Sequence, residues 1–506
     1  MNRYFNGFAF FGAALFVLVC SVPATAQGDS ELRLPRLFSD NMVLQQGTTV
    51  PVWGWGADGT IVTVKFRDQT VSTTVVNGKW LVHLHDLKPG GPDTLTITAG
   101  KTLTIKNVLV GEVWLAGGQS NMEFPLQRSF DASNDVATAA NPMIRLLKVP
   151  HTRLDTPTND IHASWSEANP GSAAGISAVG YYCLRDLQAR LHVPFGLIES
   201  DWGGTPAEAW MEDGFLRAKP DYRIGVIKQW AMEEEKYAQN LQAYAKEKQA
   251  AKESQTEFKK AAPRKPWKPS ELYNGMIAPL VPYALRGALW YQGEANANTL
   301  IEADEYHRLF PDLIRDWRSV WGEGDFPFLL VQLAPFRKIQ HEPGESAWAS
   351  LREAQLQATQ KLPHVGLAVI TDVGNEDDIH PTHKKPVGER LALAARAIAY
   401  REPIEYSGPV YKRMKIQDNS IILTFDHIGG GLEARDGDLT GFAIAGADEK
   451  FYWAMAEIKG NTVVVHSSLV PQPVAVRYGW ANYPVVNLWN KAGLPASPFR
   501  TDDFEK

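Results

Sequence analysis

Two cysteines occur in 506 residues, and one of them, Cys20, lies in an apolar stretch near the N-terminus. Beyond that stretch Cys183 stands alone, which excludes an internal disulfide as the source of stability. Cys183 sits in "ISAVGYYCLRDLQARL", where Ile176, Val179, Leu184, Leu187 and Leu191 recur at helical spacing. That pattern predicts a buried core thiol rather than a reactive one. A surplus of cations is also missing: 51 Lys and Arg stand against 57 Asp and Glu, for a formal net charge of −6. Phosphate backbones are held by clustered Lys and Arg, so no nucleic-acid partner is expected. Long apolar runs are absent after the first 20 residues, so no stable membrane insertion is expected.

What is present begins with an export signal. Arg3 supplies the positive charge, an apolar run extends from Phe8 to Val19, and Ala24 and Ala26 provide small residues before a cut. The run is short for a membrane span, so cleavage after residue 26 is expected, giving a periplasmic or secreted protein.

Residues 27–107 read as strands. "TIVTVKF" and "DTLTITAG" alternate apolar with polar residues, and Asn77-Gly78 is a hairpin turn signal. A small β-sandwich is expected there. From 108 to 402 the pattern changes to short apolar runs separated by helical stretches: "VLVGEVWLA", "IRLLKV", "FGLIES", "GALWYQ", "FPFLLVQLA" and "VGLAVITDV". "EYHRLFPDLIRDW" places Tyr306, Leu309, Phe310, Leu313, Ile314 and Trp317 on one helix face. Strand–helix alternation predicts a parallel sheet with helices on both sides and a ligand crevice at the strands' carboxyl ends. An insertion at about 215–270 interrupts it. Within it, residues 226–262 are rich in Glu, Lys, Gln and Ala and read as a long exposed helix with a narrow stripe of Trp230, Tyr237, Leu241 and Tyr244. Residues 403–506 return to strands, with a hairpin turn at Gly460-Asn461.

Four loops, each following an apolar run, carry the candidate chemistry. In "GGQSNM", Gly117 and Gly118 precede Ser120; a serine exposed on such a turn is a nucleophile if a base reaches it, and its own N–H is a candidate oxyanion donor. "TDVGNEDDIHPTHKKP" supplies the base. Asp377 and His380 are three apart, a spacing that lets the carboxylate meet Nδ1 while Nε2 faces the crevice. Asp378 and His383 compete for these roles, and the four residues together are the only candidate metal ligands; the metal-free reading is preferred because no other His/Cys cluster completes a ligand set. In "ESDWGGTPAEAW", Thr205, Pro206 and Glu208 form a capping-box pattern, so a positive helix end is expected beside Gly203 and Gly204, with the Gly204 N–H turned toward an anion. "GALWYQGEANAN" places the Gln292 amide just past a strand end, with Glu294 and Asn296 in the same loop. Trp202, Trp290 and Tyr291 are candidates to stack on a sugar, and Gln119 and Asn121 are expected beside the substrate.

These segments, together with "LYNGMIAPL", "LFSDNMVLQQGTTVPVWGWG" and "VRYGWANYPVVNLWNKAGLPASPFRTD", resemble the sialate O-acetylesterases, within the SGNH (GDSL-like) hydrolase superfamily. The resemblance covers nearly the whole chain after the signal. It implies a flavodoxin-like α/β hydrolase domain flanked by all-β regions, and a metal-free, cofactor-free serine esterase acting on acetylated sugars. Ser120 matches the nucleophile, His380 the base, Asp377 the acid of the Asp-x-x-His element and Gly204 the oxyanion glycine. The superfamily's Gly-x-Asn loop is replaced by "YQGEAN", which leaves Gln292 and Asn296 both open as the third oxyanion donor, and a Ser–His dyad without Asp377 is the alternative to a triad. O-acetylated sialic acid is the expected substrate, with acetylated xylan as the alternative; a sialate site should offer a cation, and the crevice loops show no obvious Arg. A non-catalytic carbohydrate-binding protein is the reading from another class. Nothing in the sequence assigns an oligomeric state.

Overall fold

The structure, a computed structural model, describes residues 31–504; the segment read as an export signal lies outside them. The apolar runs from residue 108 onward form one parallel set: β1 (Lys101–Gly118), β2 (Asn141–Lys148), β3 (Phe195–Asp201), β4 (Gly287–Tyr291), β5 (Phe328–Val331) and β6 (Val365–Ala368). Their spatial order is β6-β5-β4-β1-β3-β2. With β2 as an added edge strand, the other five follow the flavodoxin-like order, and the topological switch falls at β1. The four strands from β3 to β6 are buried along their whole length, as a sheet covered on both faces requires.

Alternate residues of β1 enter different cores. Val113 and Leu115 pack into the layer that holds α4 (Leu300–Trp321) and α5 (Ala347–Lys361), while Trp114 and Ala116 pack against α2 (Ala178–Leu191) and α6 (Lys385–Ile398). The stripe expected on α4 is buried, and Cys183 lies fully buried in α2, where burial pushes its thiol well up. The exposed helix of the insertion is α3 (Gln229–Glu253), shorter than the expected 226–262 span and without a buried residue. No helix among the described residues is long and apolar enough to cross a membrane.

The hairpins at Asn77-Gly78 and Gly460-Asn461 form as the sequence predicts. The expected break after residue 107 does not appear as a gap in structure. It falls inside β1, which pairs with residues 90–99 through its first part and with β3 and β4 through its second. Beyond α6, strands from Val410 to Arg500 form three further small sheets around their own core.

Candidate active site

Where β1 ends, Gly118 has φ +136°, and a Cβ there would lie 2.2 Å from the Tyr291 carbonyl oxygen. Only glycine fits that approach. The chain then turns into α1 (Ser120–Glu123), whose N-cap is Gln119 and whose first residue is Ser120. The Ser120 N–H, at the first helical position, has no intrahelical acceptor. His380 comes from the loop between β6 and α6, and its Nε2 lies 2.8 Å from Ser120 Oγ. Both residues line one cavity of about 710 Å³ at the carboxyl ends of the strands.

Asp377 does not orient this imidazole. Its carboxylate pairs with Lys338 at 2.6 Å, and its side chain is 76% exposed. Asp378 takes the place expected for it: Oδ1 lies 3.4 Å from His380 Nδ1 and accepts the His380 backbone N–H at 2.8 Å. The reason is local. Asn375 Oδ1 accepts the N–H groups of both Asp377 and Asp378, forming a tight turn that points the first carboxylate outward and leaves the second, two residues before the histidine, to fold back. Burial lowers the affinity of His380 for a proton; Asp378 opposes that, and Lys384 and Arg128 reinforce it. His383 stacks on Phe130 at 4.2 Å, away from Ser120, so the four candidate metal ligands do not converge.

The glycine turn after β3 is held from the nucleophile's side. Glu123 Oε2 accepts the Gly203 N–H at 2.7 Å, while Glu123 Oε1 faces His151 Nε2 at 3.4 Å. Gly204 follows with φ +75°, lines the cavity, and its N–H finds no acceptor among the described residues. The expected capping box is absent. Residues Ala207–Trp210 make only a short 3₁₀ turn, the Thr205 hydroxyl donates to the Trp202 carbonyl, and Glu208 accepts from Asn296 Nδ2 at 3.0 Å. A single turn this short carries little dipole, so the donor at Gly204 rests on its backbone position rather than on a helix end.

The amide of Gln292 is spent inside the protein. Nε2 donates to Asn296 Oδ1 at 2.7 Å and to the Thr205 carbonyl at 3.2 Å, and Oε1 accepts from Tyr306. It is fully buried and cannot meet a substrate. Asn296 lines the cavity instead. Its Oδ1 accepts from Ala207 N and Gln292, which fixes Nδ2 as the amide end and leaves one of its two N–H groups uncommitted after Glu208.

Asn121 also differs from expectation. It is fully buried and ties the nucleophile turn to the histidine loop, donating to the Ile379 carbonyl and Glu294 Oε1 and accepting from Lys384 Nζ. Gln119 lines the cavity, but its Oε1 accepts the N–H groups of Gly293 and Ala295, so it also pins the "YQGEAN" loop. Trp202 stacks on His151 at 4.2 Å and meets the edge of Trp267; Trp290 and Tyr291 are core residues. Glu294 reaches the cavity as expected. Burial pushes the Lys384 ammonium down to about 7 and raises the Glu294 carboxyl.

A family model described as a carbohydrate esterase, sialic acid-specific acetylesterase, matches residues 253–397. The human sialate O-acetylesterase is 31% identical over 516 residues, spanning 92% of each chain, and the rat enzyme is 31% identical over 519 residues, spanning 91% of this chain and 93% of its own. The chain belongs to the sialate O-acetylesterase family. Among solved structures, a carbohydrate acetylesterase from Xanthomonas citri is 39% identical, matches with a TM-score of 0.81, and covers 94% of this chain and all of its own. Membership makes the protein a carboxylic ester hydrolase.

One contribution to the site escaped sequence reasoning, and a second was left open by it. Glu123 lies in the same stretch as Ser120, but only the fold brings it to Gly203. The insertion reads as a solvated helix with two open roles, a dimer interface or a cover for the crevice; its first turns and the strap after it reach the cavity through Trp230, Arg264 and Trp267. The available signal was Trp230 at the start of an otherwise polar helix and Trp267 among the prolines that end it.

Proposed function

We propose that the protein is a serine esterase that removes acetyl groups from carbohydrate hydroxyls through an acetyl-enzyme. The observation that carries this is the 2.8 Å contact between Ser120 Oγ and His380 Nε2 at the cavity mouth, beside the open Gly204 N–H. His380 takes the Ser120 proton as Oγ bonds to the acetyl carbonyl carbon, and Asp378 steadies the imidazolium. The oxyanion is held by the N–H groups of Ser120 and Gly204 and by Asn296 Nδ2. The ester C–O bond breaks, the sugar oxygen takes the proton from His380, and water deacylates the serine by the same steps to give acetate. Family membership supports O-acetylated sialic acid as the sugar, and acetylated xylan is the alternative. The N-terminal signal supports action outside the cytoplasm.

The test is acetate release from acetylated sugars and from p-nitrophenyl acetate. Ser120→Ala and His380→Ala, shown to be folded, are expected to lose roughly a thousandfold or more in kcat. Wild-type turnover in either would sink the reading, and sugar binding without any acetate release would favour a carbohydrate-binding protein.

A further inference from the structure

The cavity in front of Ser120 is closed on its far side by the insertion. Trp230 and Glu233 come from the first turns of α3, and Arg264 and Trp267 from the strap that follows it. Charge in this cavity is one-sided. Glu208, Glu233, Glu294, Glu302 and Glu305 line it, and none of the five is ion-paired to a lysine or arginine among the described residues. Glu294 Oε2 is buried at the cavity with no hydrogen-bond partner there. Burial raises the carboxyls of Glu208, Glu294 and Glu305, and neighbouring carboxylates add to the rise at Glu208 and Glu305. Arg264, exposed at the rim, is the one lysine or arginine that lines the cavity among the described residues.

Lys384 offsets Glu294 and Arg308 offsets Glu305 in part, but neither lines the cavity, so a ligand carboxylate entering it meets a lining of mostly like charge, a cost that acts as selection against anionic sugars. A neutral sugar meets the opposite situation. Its hydroxyls donate to the carboxylates of Glu233 and Glu305, which take no hydrogen bond among the described residues, and its ring carbons meet the indoles of Trp230 and Trp267. Resting on the esterase reading above but departing from its sialic acid substrate in favour of the neutral alternative, we propose that this cavity selects an uncharged acetylated sugar over one that carries a carboxylate, with the insertion as the element that sets the choice.

The experiment compares kcat/KM for acetate release from O-acetylated N-acetylneuraminic acid and from its primary carboxamide, which differ only in that charge. Acetylated xylo-oligosaccharide and p-nitrophenyl acetate are run alongside. The carboxamide is expected to react about tenfold faster or more at low salt, with the gap narrowing as salt rises. Glu233→Gln combined with Glu305→Gln should narrow the gap at low salt. Trp230→Ala should cost the xylo-oligosaccharide about tenfold more than it costs p-nitrophenyl acetate. Equal or faster reaction of the acid, a gap indifferent to both salt and the glutamates, or equal losses on both esters in Trp230→Ala would overturn the proposal. An enzyme that hydrolyses p-nitrophenyl acetate yet prefers the acid sinks this inference alone; one that hydrolyses none of the four esters sinks the esterase reading and this inference with it.

Discussion

The carboxylate of Glu123 accepts the N–H of Gly203 at 2.7 Å, joining the turn that carries Ser120 to the turn that carries Gly204. The Gly203 N–H is thereby consumed, and the neighbouring Gly204 N–H is left facing the cavity. Glu123→Ala is expected to lower kcat by roughly ten- to a hundredfold with KM little changed, since a displaced oxyanion donor costs at most what a deleted one does. Glu123→Gln keeps an acceptor oxygen and should recover most of the rate. Binding of a boronic acid that mimics the tetrahedral intermediate should weaken in step with kcat/KM across the pair. Loss of thermal stability without that parallel would mark Glu123 as merely structural.

Asp377 and Asp378 are adjacent in sequence and opposite in placement. Asp378→Asn is expected to lower kcat/KM by more than about tenfold, and Asp377→Asn to leave it within about twofold. Steady-state kinetics on both variants decides between them, and a larger loss at Asp377 would restore the original Asp-x-x-His reading.

The pH profile follows from the same loop. His380 acts as a base, so activity rises with pH through its titration, and burial places that limb below the ordinary histidine value of about 6.5. Asp378 favours the protonated ring, so Asp378→Asn should move the limb lower still. Lys384 disfavours it, so Lys384→Met should move the limb up. The acid limb of kcat/KM, measured for the three proteins, checks both signs.

Lys384 also links stability to pH. Its ammonium is pushed down to about 7 in the fold. Between there and the ordinary lysine value of about 10.4, the unfolded chain holds a proton that the folded chain has released, so this group makes stability rise with pH across the window. The rise should be absent in Lys384→Met, as the difference between the two proteins' thermal midpoints from pH 7 to 10 would show.

Gln292 and Asn296 should separate by what fails. Asn296→Ala is expected to cost catalysis, roughly a hundredfold in kcat. Gln292→Ala leaves the Tyr306 hydroxyl without its acceptor and Asn296 Oδ1 with one donor fewer in a dry interior, and should cost about 1–3 kcal/mol of stability, read by denaturant unfolding.

The parts of this fold written in local pattern were legible. Continuous apolar runs marked the parallel strands, and the 3.6-residue stripe from Tyr306 to Trp317 marked α4. Ser120, His380 and Gly204 stood out only through the joint occurrence of four loops at strand ends, since each loop alone also reads as an ordinary turn. What failed was contact between loops. Whether Gln292 or Asn296 reaches the cavity depends on Tyr306 and Thr205, which lie 14 and 87 residues from Gln292. Asn121 looked like a substrate neighbour because it adjoins Ser120, but a short helix turns successive residues to different sides. The capping box at Thr205 failed because the Trp202 carbonyl and the Trp210 indole claimed its hydroxyl. The expected domain edge at 107 was a change of pattern along one strand rather than a break in it.

That strand has a consequence for how the protein unfolds. Lys101–Gly118 is hydrogen-bonded to the N-terminal sheet at one end and delivers Ser120 at the other. One hydrophobic core runs from Leu32 to Val369 across both. The region before residue 108 is therefore not a detachable appendage, and it should melt together with the α/β sheet in one cooperative transition. Trimming the chain at 107 would cut β1, strip the N-terminal partners from what is left of it and loosen the strand that leads to the serine.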